Sequence, residues 1–500
     1  CEILAEVERS ARRDGARVAL CGDGPAELSY AGLEEAVARL ADDISRSGCR
    51  RIALQASNGI PWAVADLAAM AAGVALVPIP AFFSREQVDH LLEQAAVERV
   101  LTDAPSHGYW TRRPGWYEEG HEPALAGLTS LRRHGPRMAH RLDRFSGKIT
   151  FTSGSSGQPR GVQLDNATLA RTSAGIVRAL RPLEPRQHLA VLPLATMLEN
   201  IAGLYAPLMN GSQTCLPSDE RIGLGSASLD VERFCALLES SEADTLILVP
   251  QLLTAVVSLV EVGLLRMPSF RMIAVGGGRV ARSLHDRARA LDLPVCEGYG
   301  LSECGSVLSL NLPGCERRGS VGRPLDHARL RISSRGEIEV REPQMAGYLD
   351  DSEAPGSSAE WYATGDLGHL DGDGFLYIDG RRRNVFITAY GRNVNPEWPE
   401  AALTQHAAIA HALVHGEARE HNLALLWMRF ELSAAEVSDI VEQANAELPD
   451  YARIHRWQIM ESPLAPALHT ANGRLRRERV LETFAGLIED HYEKHSLYAA

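Results

Sequence analysis

A chain of 500 residues is too long for one hydrophobic core and predicts at least two domains. With 45% hydrophobic and 23% charged residues it has the composition of a globular enzyme, and no apolar run reaches the ~20 residues of a membrane span. A net charge of −13 argues against a nucleic-acid binder, which needs a basic surface. The eight cysteines are scattered without a CxxC pair, and Cys1 to Glu6 shows no basic stretch ahead of an apolar one. Reduced thiols, no secretory signal and a cytoplasmic setting are therefore expected.

The first hundred residues alternate helix and strand patterns. The apolar residues of 33–44 recur every three or four positions, 51–54 reads as a buried strand, 62–72 as a helix stopped by Gly73, and 74–79 as another strand ending at Pro80. That rhythm predicts a parallel α/β sheet. Residues 103–147 are polar and aperiodic and read as an irregular connection. A β-prone run, Lys148 to Phe151, then opens into Thr152-Ser153-Gly154-Ser155-Ser156-Gly157 and on to Pro159 and Arg160. Glycines let backbone N–H groups converge on an anion, hydroxyls add donors and a cation supplies charge. No Gly-Lys-Ser/Thr follows, so this is not a Walker loop. By itself the stretch fits a Ser/Gly linker equally well, but its place directly after a strand favours a phosphate site.

Residues 166–180 read as a helix, and 189–194, 246–249 and 272–275 as strands, the last running into Gly276-Gly277-Gly278. Residues 294–303 repeat the strand-then-glycine pattern. Three strand ends opening into glycine are expected where a parallel sheet binds a nucleotide at its carboxyl edge. From about 320 the chain turns β-rich, with short strands at 330–332, 336–340 and 375–378. Asp371-Gly372-Asp373-Gly374 lacks the remaining ligand positions of a calcium loop and reads as a hairpin turn. Beyond 384, helical patterns (396–403, 434–448) mix with strands (410–414, 423–428) in a separate small domain, and His411 and His415 on the first of these strands read as ordinary histidines.

These segments, in this order, resemble the adenylate-forming superfamily of acyl-CoA synthetases, peptide-synthetase adenylation domains and luciferases. FTSGSSGQPRGV is similar to the family's phosphate loop, and GYGLSECGSVLSLN to its adenine and magnesium segment in the form of bacterial long-chain acyl-CoA ligases. YATGDLGHLDGDGF and GRRRNVFITAYGRNVNPEW resemble the ribose-binding and hinge segments, and HTANGRLRR the segment that carries the catalytic lysine. The resemblance implies an α/β fold. Residues 1–382 would form a large N-terminal domain of parallel and mixed sheets flanked by helices, with a β-rich subdomain. Residues 383–500 would form a small, mobile α+β domain.

The resemblance further implies activation of a carboxylic acid by ATP to acyl-AMP, then transfer to a thiol or amine. Thr152, Ser153, Gly154, Ser155, Ser156 and Gly157 would hold the phosphates and Glu303 a Mg²⁺ ion. Tyr299 would stack on adenine, with Gly277, Gly278, Gly300 and Ser302 around the nucleotide, while Asp366 would take the ribose hydroxyls, supported by Arg381. Arg383 would be the hinge, and Thr196, Asn200, Gly276 and Cys304 would border the acyl group. Thr152, Arg160, Glu303 and Arg474 would carry the chemistry. Arg160 and Arg474 depart from the family's lysines, and Thr196 from an aromatic-pocket histidine. Arginine is planar and longer than lysine, so Arg474 would place its charge differently. Coenzyme A is the expected acceptor; a carrier-protein thiol or an amine remains open. So does a protein limited to the second half-reaction or to nucleotide binding.

Overall fold

The computed structural model describes residues 1–119, 127–134, 145–152, 159–224, 229–349, 360–469 and 475–496. Among these, the strands form a nine-stranded, an eight-stranded, a four-stranded and a three-stranded sheet and one two-stranded ribbon. No described helix is long and apolar enough to cross a membrane.

The amphipathic run near the start becomes helix Tyr30–Ser47, entered through Ser29, whose hydroxyl accepts from the Gly32 N–H. Helix Ile60–Ala71 is buried continuously from Trp62 to Met70, which is why its sequence has no polar face. With helix Asn166–Leu180 and the π-helix Glu199–Tyr205 it shares one core that takes in Leu54 and Leu76 from the eight-stranded sheet and Leu20 and Cys296 from the nine-stranded sheet.

The glycine-ended strands lie in two sheets, not along one edge. Gly147–Thr152 is in the eight-stranded sheet, parallel to Ala75–Pro78 but antiparallel to Arg160–Asp165. Met272–Val275 and Val295–Tyr299 are parallel neighbours in the nine-stranded sheet. The chain after the first glycine stretch turns straight back as a hairpin, a connection too short for a parallel crossover.

Three further expectations are corrected. Residues 103–147 contain helix Ala104–Thr111 and the antiparallel strands Trp116–Glu119 and Thr129–Arg133. The first of these strands is the edge of its sheet, where charged residues are at home and blur the period. The strand expected at 189–194 is instead Gln187–Leu189, and Val191, Leu192 and Leu194 are buried beyond its end, where the Leu192 and Leu194 N–H groups donate to the Glu199 and Asn58 side chains. Cys21 and Cys215 are not reduced thiols. They are register partners on the parallel strands Val18–Cys21 and Gln213–Cys215, 4.6 Å apart at Cα, and form a disulfide across 194 positions of sequence.

Strands Arg329–Ile332, Glu337–Glu342, Tyr362–Leu370 and Leu376–Arg381 make the β-rich part, and residues 371–374 turn between the last two, the Asp371 carboxylate accepting from the Asp373 and Phe375 N–H groups. At the C-terminal end, strands Ile409–His415, Asn422–Met428 and Ile454–Ile459 form the three-stranded sheet. Helices Glu397–Thr404 and Ala434–Ala446 pack on one face, Arg477–Thr483 and Ala485–Ser496 on the other.

Candidate active site

One large cleft is walled by the carboxyl ends of strands Gly147–Thr152, Met272–Val275 and Val295–Tyr299, by strand Tyr362–Leu370, and by Trp398, His411 and other residues of the C-terminal part. Strand pairing places Asp366 opposite Arg381, whose Nε lies 2.8 Å from Asp366 Oδ1. The Tyr299 hydroxyl donates to Asp366 Oδ2 at 2.7 Å. Burial pushes the Asp366 carboxyl up, opposed by Arg381 and Tyr299. Burial, then the Asp366 charge, pushes the Tyr299 phenol well above its ordinary value. Each carboxylate oxygen accepts more than one hydrogen bond, so Asp366 keeps capacity for a diol while its orientation is held.

Glycine is required where the backbone crowds the cleft. Gly277 sits at φ +77, and a Cβ on Gly300 would collide with the Ser306 carbonyl. Glu303 lies in a short 3-10 turn, Ser302–Cys304, and faces the cleft, its Oε1 accepting from the Tyr348 hydroxyl at 3.2 Å. Among the described residues no three His, Cys, Asp or Glu side chains converge into a metal cage. One carboxylate on a cleft wall fits Mg²⁺, which is bound through one or two carboxylates, substrate phosphates and water.

Thr152 and Arg160 face each other in register at the neck of the phosphate-loop stretch, both on the cleft wall. Ser153, Gly154, Ser155, Ser156, Gly157 and Arg474 lie outside the described residues. Gly276, Gly278, Ser302, Arg383 and Thr196 also border the cleft, the Thr196 hydroxyl donating to the Pro193 carbonyl at 2.7 Å. Asn200 and Cys304 do not, which corrects their expected place beside an acyl group. Asn200 is buried, donating to Asp66 at 2.9 Å and accepting from Lys148. Leu198 and Ala202 share the cleft face of their helix, and Asn200, midway between them, points the other way. Cys304 is fully buried against Leu308 and Val340.

Two cleft residues had no assigned role in the sequence. Burial pushes the Glu297 carboxyl to about 7, against the pull of the Val280 N–H and Arg279. Burial also brings the Arg279 guanidinium down to about 10; it lies 4.9 Å from the Trp398 ring centroid and donates to the Ile378 carbonyl at 3.2 Å. Glu297 stands two positions before Tyr299, so its segment was visible but its desolvation was not. Ser283 hydrogen-bonds Gln405 across the same boundary between the two parts.

The sequence pattern of the AMP-binding enzyme family matches residues 7–349, and that of the AMP-binding enzyme C-terminal domain matches residues 383–496. The long-chain-fatty-acid–CoA ligase of Mycobacterium bovis is 25% identical over 89% of this chain and 88% of its own length. The 2-succinylbenzoate–CoA ligase of Bacillus licheniformis is 27% identical over 73% of this chain and 76% of its own. Among solved structures, the o-succinylbenzoate CoA synthetase of Bacillus subtilis, captured with its acyl-adenylate intermediate, superposes with a TM-score of 0.73 at 23% identity over 95% of this chain and 97% of that one. Its complex with ATP and magnesium gives 0.71 at 23% identity, over 95% and 98%. This chain belongs to the AMP-binding enzyme family, within the adenylate-forming superfamily.

Proposed function

We propose that the protein activates a hydrophobic carboxylic acid with ATP and passes the acyl group to a thiol, coenzyme A, releasing AMP and pyrophosphate. The observation that carries this is one cleft holding both Asp366, gripped by Tyr299 and Arg381, and Glu303, and continuing at Gly276 into an apolar passage.

In the first step a carboxylate oxygen of the acid bonds to the α-phosphorus of ATP and the bond to the β-phosphate oxygen breaks, so pyrophosphate leaves. Two anions meet in this step, and the site must neutralise their charge. Arg160 and Thr152 stand at the loop neck to bind phosphate, Arg474 would supply a cation beside the reacting oxygens, and Glu303 would hold Mg²⁺, which shields the phosphate oxygens. Asp366 takes the ribose hydroxyls and Tyr299 packs on the base. In the second step a thiolate bonds to the acyl carbon and AMP leaves. Residues 1–382 carry the nucleotide site, and residues 383–500 pivot at Arg383 between steps. Arg279 against Trp398 and Ser283 with Gln405 hold the present orientation.

The passage favours a long, uncharged acyl chain. Met272, Ala274 and Gly276 alternate along one strand and all line it, with Thr245 opposite Met272. Four residues of strand span about 13 Å, roughly ten carbons of an extended chain. Ile176, Leu180, Leu198 and Ala202 complete this wall, and its only ionisable member among the described residues, His188, is already tied to Glu199 at 2.8 Å. A second carboxylate on the substrate would find no cation there. Beyond His188 and Thr245, which line both, lies a small cavity of about 30 Å³ bordered by Val177, Leu180 and Pro207. Acid-dependent pyrophosphate release, scanned from short to long fatty acids and with CoA, an amine or a carrier protein offered in turn, tests the proposal. No release with any acid would overturn it.

A further inference from the structure

Tyr348 has no role in the reading above, yet it touches two of the groups that reading depends on. It sits in the short strand Gly347–Tyr348, paired antiparallel to Arg160–Asp165 with Tyr348 opposite Val162. The flanking backbone is tied on both sides. Leu349 N–H donates to the Gly161 carbonyl at 2.9 Å, and Met345 N–H to the Glu303 carbonyl at 2.7 Å. The segment therefore bridges the strand that leaves the phosphate-loop stretch and the turn that carries Glu303.

The side chain repeats that bridge. The Arg160 guanidinium lies 3.7 Å from the Tyr348 ring centroid, a cation–π contact. The Tyr348 hydroxyl donates to Glu303 Oε1 at 3.2 Å and meets the Tyr362 hydroxyl at 3.2 Å. With its own proton on Glu303, Tyr348 accepts from Tyr362, so the three groups form a directed chain ending on the carboxylate. Tyr362 begins the strand that carries Asp366. Arg160, Glu303, Tyr348 and Tyr362 all line the cleft. One aromatic side chain thus sets the spacing between a phosphate-binding cation and a metal-binding anion, and the phenol takes up one lone pair of Oε1 and orients the rest of the carboxylate.

We propose that Tyr348 is a positioning residue for Mg·ATP: its hydroxyl aims the Glu303 carboxylate at the ion and its ring holds Arg160 beside the phosphates. This rests on the nucleotide-binding function proposed above. The test is calorimetric binding of ATP with and without Mg²⁺, and of AMP without metal, to wild type, Tyr348→Phe and Tyr348→Leu. Tyr348→Phe keeps the ring and loses the hydroxyl, so the factor by which Mg²⁺ tightens ATP binding falls by about tenfold while AMP affinity is unchanged. Tyr348→Leu also removes the ring beneath Arg160, so ATP binding weakens even without metal. An unchanged Mg²⁺ factor in Tyr348→Phe overturns the proposal, and so does an AMP affinity that falls in step with that of Mg·ATP, the signature of a purely structural tyrosine. Wild type that binds no ATP would instead overturn the proposed function.

Discussion

Two polar clusters in this protein use similar side chains to opposite ends. In the core, Lys148 lies 2.8 Å from Asp66 and 2.8 Å from the Tyr205 hydroxyl and also donates to Asn200, while Tyr205 and Asn200 both donate to Asp66. Lys148 and Asp66 are 2% and 1% exposed, and burial pulls the Lys148 ammonium below its ordinary value, opposed by Asp66. Every ammonium proton has an acceptor, and the cluster joins strand Gly147–Thr152, helix Ile60–Ala71 and the π-helix. On the cleft, Asp366 has Arg381 and Tyr299 as partners; its own side chain is 5% exposed, but Arg381 is 41% exposed and both border the cleft. A closed cluster has nothing left to offer a ligand, and an open one does. The same contrast accounts for the cations. The chain has only two lysines, Lys148 and Lys494, and one of them is where a compact ammonium must fit among three acceptors that a planar guanidinium could not satisfy. Arginine at 160 and 474 matches a chain-wide preference for arginine over lysine.

The comparison breaks most visibly at its two aspartates. Asp66→Ala leaves Lys148 buried without its counter-charge and should cost about 3–5 kcal/mol in urea unfolding. Asp366→Ala removes a carboxylate whose charge burial disfavours. It should cost less stability than Asp66→Ala, because its half-exposed partner Arg381 can turn to water, while nucleotide binding, measured by calorimetry, collapses. Equal stability losses would remove the distinction. Arg474→Ala should slow acid-dependent pyrophosphate release by about 10²–10³ with the melting temperature held; an unchanged rate would show that Arg474 takes no part in adenylation. Ala202→Phe, which fills the wall shared by the cleft and the smaller cavity, should lower kcat/KM for long acids by about tenfold or more and spare short ones. A uniform loss would place the acyl chain elsewhere.

The smallest effect sharpens the comparison through pH. Glu297 is raised from 4.5 to about 7 in the folded protein, so the fold holds a proton that the unfolded chain releases. The stability this contributes is complete below pH 4.5 and is lost as pH rises through 7. Glu297→Gln should flatten the decline over that window and exceed wild type by about 1 kcal/mol at pH 8 in urea unfolding. Parallel pH profiles for the two proteins would show that Glu297 is already charged in the fold.

What the chain order alone determined were features written in short, contiguous stretches: the helical period of Tyr30–Ser47, the strand Met272–Val275 running into glycine, the Thr-Gly-Asp and Gly-Tyr-Gly-Leu-Ser-Glu segments, and from their order an adenylate-forming fold. Such stretches are legible because backbone geometry and ligand chemistry act over a few neighbouring residues. Only the tertiary structure decided that the glycine-ended strands divide between two sheets, that Asn200 turns to Lys148 and Asp66 rather than to the cleft, that Cys21 meets Cys215, and that Tyr348 reaches Glu303. Asp66 and Asn200 are 134 positions apart, and Tyr348 and Glu303 are 45 apart. No local periodicity encodes such pairings, because strand register and helix packing, set by burial of the whole core, bring them together.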